Sequence, residues 1–483
     1  MQFNSFVYIL LFLPLTVLIY FLANRFGSRF GKIVLITAGI VFYLNAGTGS
    51  AVVFLISIAI NYCFALLIGK KVKTGRLCVT IPIIVNILLL LGFKYTGFAV
   101  LNANRLFGME YPVPEFFLPL GISFFTFQQI AYVVSVYRGE TIDASIMDYL
   151  VYILYFPKLI MGPLMEPSDF LGQINDNSLK RPDKDNIACG LKIFSYGLFK
   201  KVMIADILAR AVAWGYDNID AATSVDWILI MLFYTFEIYF DFSGYSDMAV
   251  GSSLMLNIKL PINFDSPYKA LSIKDFWKRW HISLTAFFTK YIYIPLGGNR
   301  KGRILTYVNV MIVFLISGLW HGASWTFVLW GCLHGILMVF DRIFDEWETK
   351  IFGPLRWMIT FMGINVLWLL FRSESVLQWA GILKKILFFG DRNISDGVAW
   401  SFYQDYLSEF LINTLHIRYL TDHIWGFWML LYMLGCTLLC LGPENNYRKL
   451  KILSPGSMIF AALLFVWGLT CLGSESVFLY FNF

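Results

Sequence analysis

Residues 265–303 read DSPYKALSIKDFWKRWHISLTAFFTKYIYIPLGGNRKGR; after an apolar run over 304–316 the chain continues SGLWHGASWTFVLWGCLHG over 317–335. The second half of this stretch, with the run before it, stays apolar over about the 20 residues that cross a bilayer as a helix. The first half is neither apolar enough to span nor polar enough to leave the membrane. Phe276, Trp277, Trp280, Tyr291 and Tyr293 alternate there with Lys274, Lys278, Arg279 and Lys290, and aromatics mixed with cations mark the headgroup level. PLGGNRKG, which carries Arg300, reads as a turn returning the chain to the next helix. Three of the five histidines, His281, His321 and His334, fall in this stretch, with seven of the 38 Lys and Arg residues between Lys274 and Arg303.

Outward from it, the rest of the chain has the same character. Of 483 residues, 58% are hydrophobic and 14% charged, against roughly 25% charged in a typical soluble domain. Apolar runs recur near residues 5–23, 32–45, 49–69, 77–101, 116–137, 147–165, 226–256, 305–320, 323–340, 357–372, 376–389, 424–441 and 456–472. They predict about 11 to 14 membrane segments, some not fully spanning. Lipid requires backbone groups to be satisfied within each segment, so the fold class is an all-α polytopic membrane protein. Pro119, Pro157 and Pro163 predict kinked, broken or re-entrant segments. One integral-membrane domain is expected over 1–483, with N-terminal helices at 1–110, a core at 111–345 and C-terminal helices at 346–483.

Arg25, Arg29 and Lys32, then Lys70, Lys71, Lys73 and Arg76, follow the first and third runs, which puts those loops in the cytoplasm and the N-terminus outside. The N-terminal run lacks a cationic leader and a small-residue cleavage site, so it reads as a retained helix. The net charge of +7 sits in short loops, where it sets topology and points to no nucleic acid. Residues 391–422 read as an extramembrane loop with an amphipathic piece. No fixed-period repeat supports a transporter of the inverted-repeat type. The seven cysteines form no CxxC or Cys/His cluster; neither disulfide, metal nor bound cofactor is expected.

His321 lies inside an apolar helix between Gly318 and Gly322, with Ser317 and Ser324 close enough in sequence to be hydrogen-bond partners and Trp320 beside it. A lone histidine there is often a satisfied core residue; a neutral imidazole at bilayer depth is also a suitable general base for an alcohol. His334 is 13 residues further on, roughly 20 Å along a continuous helix. It is assigned a structural or orienting role unless the helix breaks at Gly322. Glu237, Asp241 and Asp247 sit in an otherwise lipid-compatible run, where a carboxylate costs at least about 2.5 kcal/mol. They read as a structural ion pair, or as groups facing a polar interior that are catalytic or orient cations. Lys192, Lys200, Lys201, Asp206 and Arg210 suit a helix at the interface or lining a polar cavity. No G-x-S-x-G elbow is present, and Cys332 and His334 point to different helix faces.

At these residues the sequence resembles the membrane-bound O-acyltransferase family, and within it the bacterial branch that O-acetylates alginate and related polysaccharides. The resemblance rests on YFPKLIMGPLMEP (155–167), GLFKKVMIADILA (197–209), FEIYFDFSGYSDMAVG (236–251), LPINFDSPYKALSIKDFWKRWHISLTAF (260–287), YIYIPLGGNRKG (291–302), SGLWHGASWTFVLWGCLHG (317–335) and the ending FLYFNF. It implies a ring of membrane helices around a thin septum pierced by a tunnel. It implies His321 as the catalytic histidine and His281 as its companion on the cytoplasmic side. It further implies a partner of the serine-esterase type outside the membrane. One departure touches the donor side: Thr289-Lys290 stands where the family has an Arg-Asp pair.

The expectation is an O-acetyltransferase that takes an acyl group from a cytoplasmic thioester, acetyl-coenzyme A or an acyl-carrier protein, to hydroxyls of an extracytoplasmic polysaccharide or cell-wall polymer. His321 and His281 carry the chemistry; Asp241, Asp247, Ser317, Trp320 and Ser324 support them. Lys274, Lys278, Arg279, Lys290 and Arg300 form a basic lip for the donor. D-alanyl transfer to teichoic acid is the rival within the class, and a polymer transporter or flippase the rival outside it.

Overall fold

The computed structural model describes residues 1–45, 47–70, 76–114, 116–141, 145–348, 350–403, 414, 426–473 and 478–479. Lys71 and Lys73, the 404–413 and 415–422 parts of the expected extramembrane loop, and the last four residues of FLYFNF lie outside them. All regular structure among the described residues is helical. Among the described residues, five helices are long and apolar enough to cross a membrane: Thr48–Gly69, Leu77–Phe107, Arg303–His321, Trp325–Asp345 and Gly353–Arg372. Shorter apolar helices cover Tyr8–Asn24, Ile122–Tyr137, Phe427–Leu441 and Pro455–Thr470. The chain is a multi-pass membrane protein.

Prolines cut the apolar runs where the sequence places them. The expected 116–137 segment becomes helical only at Ile122, after Pro119 and Gly121, whose φ of 71° an L side chain rarely adopts. The expected 147–165 segment breaks into Ile146–Leu154 and Phe156–Leu159, with Pro157 in the first turn of the second piece, where its missing N–H is harmless.

The helices gather into two compact units. One comprises Met1–Gly197, Tyr245–Ile262 and Lys449–Leu472; the other comprises Leu198–Gly244, Asn263–Arg448 and Gly473–Phe483. In the first unit, several buried polar groups find partners within the unit. Tyr8 and Tyr155 share hydrogen bonds of 2.8 Å with Ser252 and Ser253. The ammonium of the fully buried Lys158 donates to Gln128 Oε1 at 2.7 Å and lies 3.7 Å from the centre of the Tyr152 ring. Lys192 donates to the carbonyls of Lys449 and Ile452, a use its sequence position among apolar residues did not disclose.

The second unit contains the central stretch. Its Arg303–His321 helix has 19 residues, about 28 Å at 1.5 Å per residue, close to the roughly 30 Å hydrocarbon thickness. The chain then turns and returns as Trp325–Glu348. Gly318 and Gly331 permit the two helices to touch: a Cβ on Gly318 would collide with the Phe327 carbonyl oxygen, and one on Gly331 with that of Phe314. Small residues at such a crossing are the means by which membrane helices pack closely.

Candidate active site

His281 occupies the joint between two short helices, Ile273–Arg279 and Ile282–Phe288. Ser272 caps the first by accepting from the Asp275 amide, and the chain leaves its end extended at Trp280. His281 itself is left-handed, φ 44° and ψ 53°, a conformation costing on the order of 1–3 kcal/mol for a non-glycine residue. Residues on either side hold it there. The Ile282 amide donates to the Asn263 carbonyl at 3.0 Å, the Ser283 hydroxyl to Asn263 Oδ1 at 2.6 Å, and the Asp265 amide to the Arg279 carbonyl at 3.0 Å. The imidazole is 1% exposed and packs edge-on against Phe242. Neither of its ring nitrogens has a hydrogen-bond partner among the described residues.

His321 is the last residue of its helix, which ends because Gly322 turns extended. It is 6% exposed. Its ring meets Trp320, Trp330 and Phe371 edge-on, at centroid distances of 4.9, 5.2 and 5.1 Å. Trp320 also meets the His281 ring at 6.3 Å. The two histidines picked out from the sequence therefore share one buried aromatic centre, with Trp320 between them.

His334 belongs to the same centre, which corrects its expected separation along a continuous helix. The break at Gly322 folds the chain back, and one tryptophan now stands between the two rings: Trp330 lies 5.2 Å from His321 and 4.5 Å from His334. His334 Nδ1 also accepts a hydrogen bond from Trp277 Nε1–H at 3.2 Å. That acceptor role places the proton of the neutral ring on Nε2.

The supporting residues divide. Ser324 does not serve His321: its hydroxyl accepts from the Thr326 amide and bonds the Thr326 hydroxyl, capping the returning helix. Ser317, one turn before His321, faces a cavity of about 220 Å³ instead. Asp241 is an ion-pair residue. Its Oδ1 is 2.6 Å from Lys201 Nζ and its Oδ2 accepts from the Leu479 amide at 3.1 Å; Lys201 also reaches Asp206 at 2.8 Å. A π-helical turn at Lys200–Ala205, which no residue pattern announces, carries Lys201 into this position. Asp247 is buried and falls in the Tyr245–Ile262 segment of the first unit, whereas both histidines belong to the second.

The basic lip is narrower than five cations. Lys274 pairs with Asp345 at 3.4 Å, and Arg279 pairs with Asp275 at 2.8 Å while donating to the Asp265 carbonyl. Lys290 lies 5.6 Å from the Tyr291 ring centre. Lys278 and Arg300 are exposed. The 220 Å³ cavity is lined by Thr285, Thr289, Tyr293, Val313, Ser317 and Arg342 among others, with Trp277 in its wall. It thus touches both the turn of His321's helix and the indole that holds His334. No group of three metal-ligating side chains occurs among the described residues. The chemistry available here is proton transfer and hydrogen bonding by imidazoles within an apolar shell, the setting in which a general base for a hydroxyl works.

Residues 135–373, which include all three histidines, match the model of MBOAT, the membrane-bound O-acyltransferase family. The chain is 36% identical to a protein of Helicobacter pylori named peptidoglycan O-acetyltransferase, over 100% of this chain and 97% of the relative. It is 36% identical to the Azotobacter vinelandii protein named probable alginate O-acetylase AlgI, over 88% of this chain and 85% of the relative. A Streptococcus thermophilus protein named teichoic acid D-alanyltransferase is 28% identical over 48% of this chain and 58% of its own length.

Proposed function

Because this chain belongs to the membrane-bound O-acyltransferase family, we propose that it carries an acetyl group from a cytoplasmic thioester to hydroxyls of an extracytoplasmic cell-wall glycan. It is an acyltransferase; the acetyl group, donor and acceptor are our reading. Peptidoglycan is favoured over alginate as the acceptor because similarity to the peptidoglycan O-acetyltransferase runs the length of both chains. The enzyme works in the bacterial cytoplasmic membrane with a serine-esterase-like acyl carrier outside it.

The observation that carries this reading is the pairing of His281 and His321 across Trp320 in one buried centre. A buried polar atom left without a partner costs about 1–3 kcal/mol, and His281 has two without one among the described residues, on a backbone already strained. Such a residue is poised for a group that arrives. The donor's thioester arm enters the 220 Å³ cavity, and the exposed Lys278 and Arg300 attract its phosphates or an acidic carrier. His321 removes the proton from the incoming hydroxyl as that oxygen attacks the thioester carbonyl, and His281 hydrogen-bonds the donor side.

The test is the mass of the ester group released from surface polymers of cells with and without the intact protein. Acetate lost from peptidoglycan alone meets the proposal; loss of a D-alanyl ester from teichoic acid would replace the acyl group and acceptor named here.

A further inference from the structure

We propose that His334 is a third catalytic residue, whose Nε2–H donates a hydrogen bond to the carbonyl oxygen of the acyl group during transfer; this rests on the acyl-transfer reading above. Two independent features point to it. Trp277 Nε1–H donates to His334 Nδ1, so the neutral ring keeps its proton on Nε2. That Nε2 is buried and has no partner among the described residues, although His334 is fully enclosed.

Trp330, whose ring lies between His334 and His321, has the same property: its Nε1 is buried and unpartnered among the described residues. An indole nitrogen only donates. Two N–H donors without acceptors, on rings 4.5 Å apart and beside the ring of His321, describe surroundings short of oxygen. Nature rarely leaves buried donors unmade; the occupant that matches them is an acceptor such as a carbonyl or the alkoxide it becomes. Trp277 connects this pair to the donor, since it both fixes the His334 tautomer and walls the 220 Å³ cavity.

The step balances as follows. The hydroxyl oxygen of the acceptor bonds to the carbonyl carbon of the thioester while His321 takes the hydroxyl proton. The carbonyl π electrons move to oxygen, and the resulting oxyanion accepts from His334 Nε2–H, with Trp330 Nε1–H as a second donor. Collapse re-forms the carbonyl and breaks the carbon–sulfur bond, and the departing thiolate takes the proton from His321. An ester and a free thiol result, and His334 keeps its proton throughout.

The experiment uses inside-out membrane vesicles holding the full chain at equal protein level, given radiolabelled acetyl-coenzyme A, with base-labile label in vesicle-enclosed polymer as the readout. His334→Phe fills the ring volume and removes the donor; His334→Gln puts an amide N–H near the Nε2 position. We expect His334→Phe to lower the rate by about 100-fold or more, the usual effect of removing an oxyanion donor, and His334→Gln to recover at least ten-fold of it at the same thermal midpoint as His334→Phe. A His334→Phe rate within three-fold of wild type overturns the proposal. So does a loss that follows the thermal midpoint down and is not relieved by glutamine. His321→Ala separates the two readings: if it is inactive while His334→Phe is fully active, only this inference falls, whereas an active His321→Ala removes the mechanism on which it rests.

Discussion

Lys201 Nζ lies 2.6 Å from Asp241 Oδ1, and both side chains are 2% exposed. The ion pair is completed by Asp206 at 2.8 Å, 18% exposed, and by the Phe478 ring, 4.4 Å from the ammonium. Removing one member of a buried pair leaves an uncompensated charge, at a cost of about 3–5 kcal/mol. Asp241→Ala is therefore expected to lower the thermal midpoint of the detergent-purified protein far more than Asp206→Ala. Combining Asp241→Leu with Lys201→Met should recover most of the loss. Equal effects of the two aspartates would contradict the assigned hierarchy.

The lip makes a different prediction, one of rate rather than stability. Lys278 and Arg300 are exposed, while Lys274 and Arg279 already have carboxylate partners. Lys278→Glu with Arg300→Glu should raise the apparent KM for acetyl-coenzyme A in inside-out vesicles by about ten-fold, with the deficit shrinking as salt screens the charges. The thermal midpoint should not move. A KM unchanged at low salt would place donor capture elsewhere.

Much of this site could be read from the sequence, and the failures have physical causes. His281 and His321 stood out because protons are scarce in an apolar chain and each sits in a motif of fixed residue types. Helical rise alone separates His334 from His321; only the extended backbone at Gly322 and the return of the chain bring it back. Asp241 is legible as a costly carboxylate, but its partner lies 40 residues earlier and faces it through a π-helical turn. Ser324 looked like a partner for His321 by proximity, whereas a serine just ahead of a helix more readily caps it. The membrane helices themselves were legible from hydropathy, with boundaries shifted by Pro119, Gly121 and Pro157.

Helix contact supplies a packing prediction. Gly318 faces Phe327 and Gly331 without room for a Cβ, and both contacts are with backbone, which cannot swing aside. Gly318→Leu should reduce the amount of folded protein in the membrane by several-fold, judged by monodisperse yield in mild detergent. Gly363→Leu, at a glycine with open space around its Cβ position, should not. Equal yields from the two variants would count against the close crossing.

The cavity can be blocked without touching a histidine. Val313 lines it on the helix that ends in His321. Val313→Trp should cut acetyl incorporation by at least ten-fold while leaving the thermal midpoint within a few degrees of wild type. Full activity with the indole in place would show that the thioester arm takes another route.

In the proposed mechanism His321 takes the proton in acyl transfer. Its most direct test is the rate of base-labile acetyl incorporation from radiolabelled acetyl-coenzyme A in inside-out vesicles holding His321→Asn at wild-type protein level and thermal midpoint. A fall of at least about 100-fold is expected, the scale of a lost general base. Incorporation within a few-fold of wild type would mean that His321 is a packed core histidine and that the proton is taken by another group.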